Sequence, residues 1–223
     1  MLTTRRGFTL IEVLVTLVIL LFGLLGIAGL MAKGQRAAFE AFQRQQALSI
    51  AADMAERILG NRGQAANYAA NAPVATPVGA SNGLYYGNLL KNNITNCATA
   101  VCTNSELQQY DVAIWEGQLM GYTESLIVGG TRVGGIVNAN GCIEQLATTI
   151  AQCPGAPAPA GSLYTTTLRI SVAWQGSGDT AVPTASNCGQ GLYSSANNNG
   201  VYAVSEASRR LATTDVNLLQ ACP

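Results

Sequence analysis

From Phe8 to Met31 the chain runs FTLIEVLVTLVILLFGLLGIAGLM, an apolar stretch interrupted by a single charge at Glu12. At ~1.5 Å per helical residue such a stretch crosses a ~30 Å hydrocarbon core, so a membrane-spanning helix is predicted over residues 8–32. Lys33-Gly34-Gln35-Arg36 follows, and the pattern stays helical through Leu59. Ala47, Ala51, Met54 and Ile58 recur at i, i+4, i+7 and i+11 as an apolar stripe, with Arg44, Asp53, Glu56 and Arg57 beside it. One helix of ~75–80 Å is expected from about Phe8 to Leu59, its residues 33–60 amphipathic, with Gly60-Asn61 as C-cap.

Beyond Asn61 the periodicity lapses, and Ala65 to Asn82, rich in Ala, Asn, Gly and Pro, reads as a long surface connection. A second helix is predicted from Ser105 to Met120, capped by Asn104 or Ser105, with Leu107, Tyr110, Ile114, Trp115 and Leu119 on its apolar side. Strands are predicted at Thr131 to Val137, around Cys142 to Leu146, at Tyr164 to Trp174 and from Arg210 to Leu218. In the third, strict alternation puts Leu168, Ile170, Val172 and Trp174 on one face of a half-buried strand. Gln152 to Gly161 is a proline-rich loop between strands. These elements make residues 61–223 a single globular domain.

Charge and composition narrow the function. Twelve basic residues balance twelve acidic ones, which argues against a nucleic-acid footprint. Histidine is absent, removing the commonest general base and transition-metal ligand. No G-x-S-x-G, P-loop or dinucleotide fingerprint occurs, and Asp111, Glu116, Glu124 and Asp179 lack calcium-loop spacing. No catalytic residue, metal site or cofactor is expected. All six cysteines, Cys97, Cys102, Cys142, Cys153, Cys188 and Cys222, lie in the later part of the chain. An even count placed this way suggests disulfides in an exported domain, with the pairing left open by sequence.

Arg5 and Arg6 precede the apolar stretch, and positive charge on that short side keeps it cytoplasmic, sending the rest outward. The apolar core is longer than that of a cleavable secretory signal, and Glu12 lies inside it. A glutamate there costs a few kcal/mol, which marks it as a functional residue seeking a partner. Gly23, Gly26 and Gly29 recur every third residue, a spacing that permits close helix approach but is also ordinary in membrane helices.

The stretch Arg5-Arg6-Gly7-Phe8-Thr9-Leu10-Ile11-Glu12-Val13-Leu14-Val15 resembles the class III signal of type IV prepilins and type II secretion pseudopilins. The resemblance implies a leader of residues 1–7, cleaved by a prepilin peptidase between Gly7 and Phe8, with Phe8 then N-methylated. Glu12 becomes the fifth residue of the mature chain. A new α-amino group at the head of an apolar helix needs an anion, and Glu12 of the same or a neighbouring subunit supplies one, favouring assembly. Arg169 to Gly176 and Thr213 to Leu218 are similar to the minor pilins of the PilV type, the pilus modification proteins.

That resemblance implies an α+β pilin-like fold, a long N-terminal helix packed on a C-terminal antiparallel sheet. It also implies a minor pilin, and by the pilin C-terminal loop a Cys188–Cys222 disulfide. The partners implied are prepilin peptidase, other minor and major pilins and the inner-membrane assembly platform, with no nucleic acid bound directly. Localisation follows as single-pass in the inner membrane, then pilus and cell surface, in support of adhesion, twitching motility or DNA uptake. A type II secretion pseudopilin is the alternative, and a membrane-tethered enzyme the third class.

Overall fold

The computed structural model describes residues 7, 9–79, 84–122, 135–149, 163–196, 202–204 and 206–221. The helices are α1 (Leu10–Gly60), α2 (Ala65–Asn71), α3 (Leu84–Leu90) and α4 (Asn104–Leu119). The strands are β1 (Val78–Gly79), β2 (Asn140–Thr149), β3 (Leu163–Gln175), β4 (Ser194–Ala196), β5 (Tyr202–Val204) and β6 (Arg209–Ala221). The chain divides into two compact units, Met1–Phe42 and Gln43–Pro223.

The first unit holds the apolar part of α1. Its apolar side chains are exposed on every side, Leu10 by 84%, Phe22 by 71% and Leu30 by 72%. In the second unit, α1 buries Gln43, Ala47, Ile50, Ala51, Met54, Ala55 and Ile58. The expected stripe is therefore the packed face. The helix ends at Gly60 without a left-handed cap: Asn61 has φ −127°, and its N–H donates to the carbonyls of Arg57 and Ile58.

The main sheet has the order β1-β2-β3-β6, antiparallel throughout. Opposite residues share a face, so Gly141, Val172 and Ala212 lie together on one side and Cys142, Ser171 and Thr213 on the other. Leu168, Ile170, Val172 and Trp174 of β3 join Ile143, Val216 and Leu218 in one core with Ala47, Ala51, Met54 and Ile58 of α1. The alternation read from the sequence is the inner face of this sheet. Burying a large aliphatic side chain contributes about 1.5–3 kcal/mol, so this face dominates the domain's hydrophobic stabilisation.

Trp115 of α4 enters the same core and donates its indole N–H to the Ile50 carbonyl at 3.1 Å. Gly141 makes room for it: a Cβ there would meet the Trp115 ring and lie 2.7 Å from Leu119 Cδ1. The sheet's other side carries a smaller cluster of Cys142, Ala173, Cys188 and Tyr193. The segment after β3 therefore lies across the outer face.

The structure corrects four local expectations. The cap of α4 is Thr103, in a capping box with Glu106, because Thr103 adopts the extended backbone a cap needs. Its buried face is Gln108, Asp111, Val112, Trp115, Glu116 and Leu119, while Leu107, Tyr110 and Ile114 are only half-buried. The segment read as a surface connection instead forms α2, with Tyr68 fully buried, and β1, with Val78 fully buried. Of the strand expected at Thr131 to Val137, residues 131–134 lie outside the described residues, and 135–137 form no strand.

Candidate functional site

Gly7 is exposed, with nothing within 4 Å of a Cβ built on it. Phe8, the residue expected to carry the new amine and its methyl group, lies outside the described residues. Thr9 immediately precedes α1. Its carbonyl accepts from the N–H groups of Glu12 and Val13 at 3.1 and 3.3 Å, and its hydroxyl oxygen from Glu12 N–H at 3.4 Å. Glu12 stands in the first turn of α1, where the free N–H groups and helix dipole favour a negative charge. The Thr16 hydroxyl, donating to the Val13 carbonyl at 2.8 Å, hides its own polarity in the backbone. What remains around Glu12 is an apolar cylinder, the form a helix takes when its surroundings are lipid or other apolar helices.

The lower helix is tied to its domain by polar contacts. Arg57 reaches Asp53 through Nε and Asp111 of α4 through Nη1, both at 2.9 Å. Desolvation opposes the Arg57 charge, and the hydrogen bonds and attraction of Asp53 and Asp111 outweigh it, raising its pKa. The Tyr68 hydroxyl donates to Asp111 at 2.6 Å, and burial followed by that bond raises the phenol's pKa. The Asn61 amide donates to the Asn104 carbonyl at 2.7 Å. α1, α2 and α4 thus meet on one carboxylate.

Glu116, fully buried, holds the next turn of chain. It accepts the N–H of Tyr86, in the first turn of α3, at 2.7 Å and that of Gly79 in β1 at 3.2 Å. Burial raises its pKa, and the backbone N–H bonds partly offset the shift. Asp111 and Glu116, which lack calcium-loop spacing, serve in the structure as internal acceptors. The described residues hold no cluster of metal-ligating groups.

On the outer face of the sheet, Arg169 and Asp215, opposite each other on β3 and β6, pair in two bonds of 2.8 and 2.7 Å. Arg169 also donates to the Ala185 carbonyl at 2.7 Å. The buried Arg209 side chain donates to the carbonyls of Pro183, Ser186 and Cys188 and pairs with Glu206 at 2.6 Å. Ser186 bonds Glu144 of β2. The 183–188 segment is held to the sheet by its own backbone carbonyls.

Two disulfides occur among the described residues. Cys97–Cys102 closes a short loop just before α4, and Cys142–Cys188 fastens the outer segment to β2. The second overturns the Cys188–Cys222 pair implied by the pilin loop. Cys142 faces outward opposite Ser171, and the Arg209 bonds draw Cys188 onto that position. Cys153 and Cys222 lie outside the described residues, as do the proline-rich loop at 152–161 and the Asn197 to Gly200 run.

Residues 2–28 match the prokaryotic N-terminal methylation motif, and residues 30–113 match the family described as Type IV pilin Tt1218. The second match runs through the lower half of α1, α2, α3 and into α4. Comparison with curated proteins and with solved structures finds no match.

Proposed function

We propose that this chain, whose residues 2–28 match the prokaryotic N-terminal methylation motif and residues 30–113 a type IV pilin family, is a minor pilin of the PilV kind. A prepilin peptidase cuts between Gly7 and Phe8, removing Arg5 and Arg6, and methylates Phe8. The charge balance then shifts from 12 basic and 12 acidic residues to 12 minus 2, that is 10, against 12. Before assembly the 8–32 segment spans the inner membrane once, with the leader cytoplasmic and residues 61–223 outside. The 33–60 segment continues the helix into the domain. Afterwards the protein stands in the pilus at the cell surface, in contact with other minor and major pilins, and supports pilus initiation and through it adhesion, twitching motility or DNA uptake.

The observation that supports this reading is the apolar surface from Leu10 to Met31, which is exposed on every side. Lipid covers such a helix in the membrane, and the helices of neighbouring subunits cover it in a fibre. The Glu12 carboxylate is the one charge on that surface and the partner for a Phe8 amine. Intact-mass and N-terminal peptide analysis of protein from sheared pili tests the reading. The expected first residue is N-methylated Phe8. Exported protein that retains Arg5 and Arg6, or absence of the chain from sheared pili, would overturn it.

A further inference from the structure

Cys142 bonds Cys188 and passes over Cys153, which lies between them in the chain. On the topology proposed above, on which this inference rests, residues 61–223 leave the membrane N-terminus first. Cys142 and Cys153 then reach the oxidising compartment together, and Cys188 follows later. Their separation is 153 minus 142, eleven positions, against 46 for the native pair. Loop closure falls off as the three-halves power of length, so the early contact is favoured roughly ninefold.

Besides the Asn140 carbonyl, 3.8 Å from Cys188 Sγ, and Glu144, which bonds Ser186, the contacts that bring Cys188 to Cys142 come from later chain. β3 supplies Ser171 opposite Cys142, and the Ser171 carbonyl lies 3.7 Å from Cys188 Sγ. Arg209, emerging after Cys188 itself, binds the carbonyls of Ser186 and Cys188 at 2.9 and 3.1 Å. A premature Cys142–Cys153 link needs none of these. It closes a ring around Ile143 to Thr149, the residues β2 uses to pair with β3. Once the fold is complete Cys142 and Cys188 are both fully buried, so correction has to precede the docking of the outer segment.

We propose that this chain is a client of a thiol–disulfide isomerase in the compartment that receives its C-terminal domain. The isomerase thiolate attacks Sγ of Cys142, the Cys142–Cys153 bond breaks, and Cys153 leaves as a thiolate that takes up a proton. The Cys188 thiolate then attacks Sγ of Cys142 in the mixed disulfide and releases the isomerase thiolate. This exchange moves no net electrons. Cys153 is returned as a thiol, and any later bond from it requires a separate dithiol oxidase.

The full-length protein is produced in cells with and without their periplasmic disulfide isomerase, thiols are blocked at lysis, and disulfides are mapped in non-reducing digests. Without the isomerase, the Cys142–Cys153 peptide accumulates and the Cys142–Cys188 peptide falls at least about threefold. The Cys153→Ser, Cys222→Ser double variant forms Cys142–Cys188 equally in both strains. Equal wild-type yield of Cys142–Cys188 in the two strains would overturn the proposal. So would a loss that the double variant fails to relieve, since Cys153 is then not the competitor. Fully reduced cysteines in both strains would instead overturn the exported topology, and this inference with it.

Discussion

The Tyr68 hydroxyl and the Asp111 carboxylate meet at 2.6 Å inside the domain, and through that contact a short helix of small residues is held to α1 and α4. Removing one member of a buried pair leaves the others without partners, at a cost of about 3–5 kcal/mol for an ion pair and about 1–3 kcal/mol for a neutral donor. Asp111→Ala, which takes away the Tyr68 acceptor and one of the two carboxylates on Arg57, is expected to cost about 3 kcal/mol. Tyr68→Phe, which leaves Arg57–Asp111 intact, is expected to cost about 1 kcal/mol. Denaturant titration of the detergent-solubilised chain separates them, and equal losses would contradict the shared-carboxylate account.

A second expectation concerns Gly141, where the Trp115 ring and Leu119 leave no space for a side chain. Gly141→Val should force the indole away from the Ile50 carbonyl and destabilise the domain by about 1–3 kcal/mol or more. Tryptophan fluorescence would report the displacement, and an unshifted spectrum with wild-type stability would reject the packing argument.

The pH dependence has two arms of opposite sign. Glu116 has a raised folded pKa, chiefly from burial. Its contribution is therefore full below the ordinary glutamate value and is lost as pH rises through the raised one. Asp215, lowered first by its hydrogen bond from Arg169, and Glu106, lowered by the Thr103 backbone N–H, act the other way. Their contributions are full above the ordinary carboxylate values and are lost as pH falls through the depressed ones. Thermal melts should show stability rising from neutral toward mildly acid pH and falling beyond. Glu116→Gln should lower stability throughout, since its NH2 group faces backbone donors, and should flatten the first arm.

The assembly role of Glu12 separates from simple tolerance by mutation. If Glu12 pairs with the Phe8 amine of its own or an adjacent subunit, Glu12→Ala spares membrane insertion but reduces the ratio of pilus to membrane protein. Glu12→Gln keeps volume and hydrogen bonding while removing charge, and the pairing account expects it to lower the ratio too. A tolerated acid predicts slightly better insertion and no other change. An unchanged ratio for both variants would sink the pairing.

What the sequence determined by itself was everything set by local periodicity. The apolar run from Phe8 to Met31, the stripe of Ala47, Ala51, Met54 and Ile58, and the alternation of Leu168 to Trp174 depend only on 3.6- and 2-residue repeats, so they read directly as a helix, its packed face and a strand. The prepilin signal is likewise a contiguous string. α4 misled because its inward face carries Gln108, Asp111 and Glu116, and a polar residue at a core position looks like solvent until its partner is known. Those partners, Asn71, Tyr68 and the N–H groups of Gly79 and Tyr86, come from other elements. α2 left no pattern because its packing rests on one buried tyrosine among small residues. The Cys142–Cys188 bond was decided by the sheet register and the carbonyls gathered by Arg209, contacts between distant residues that only the folded chain brings together.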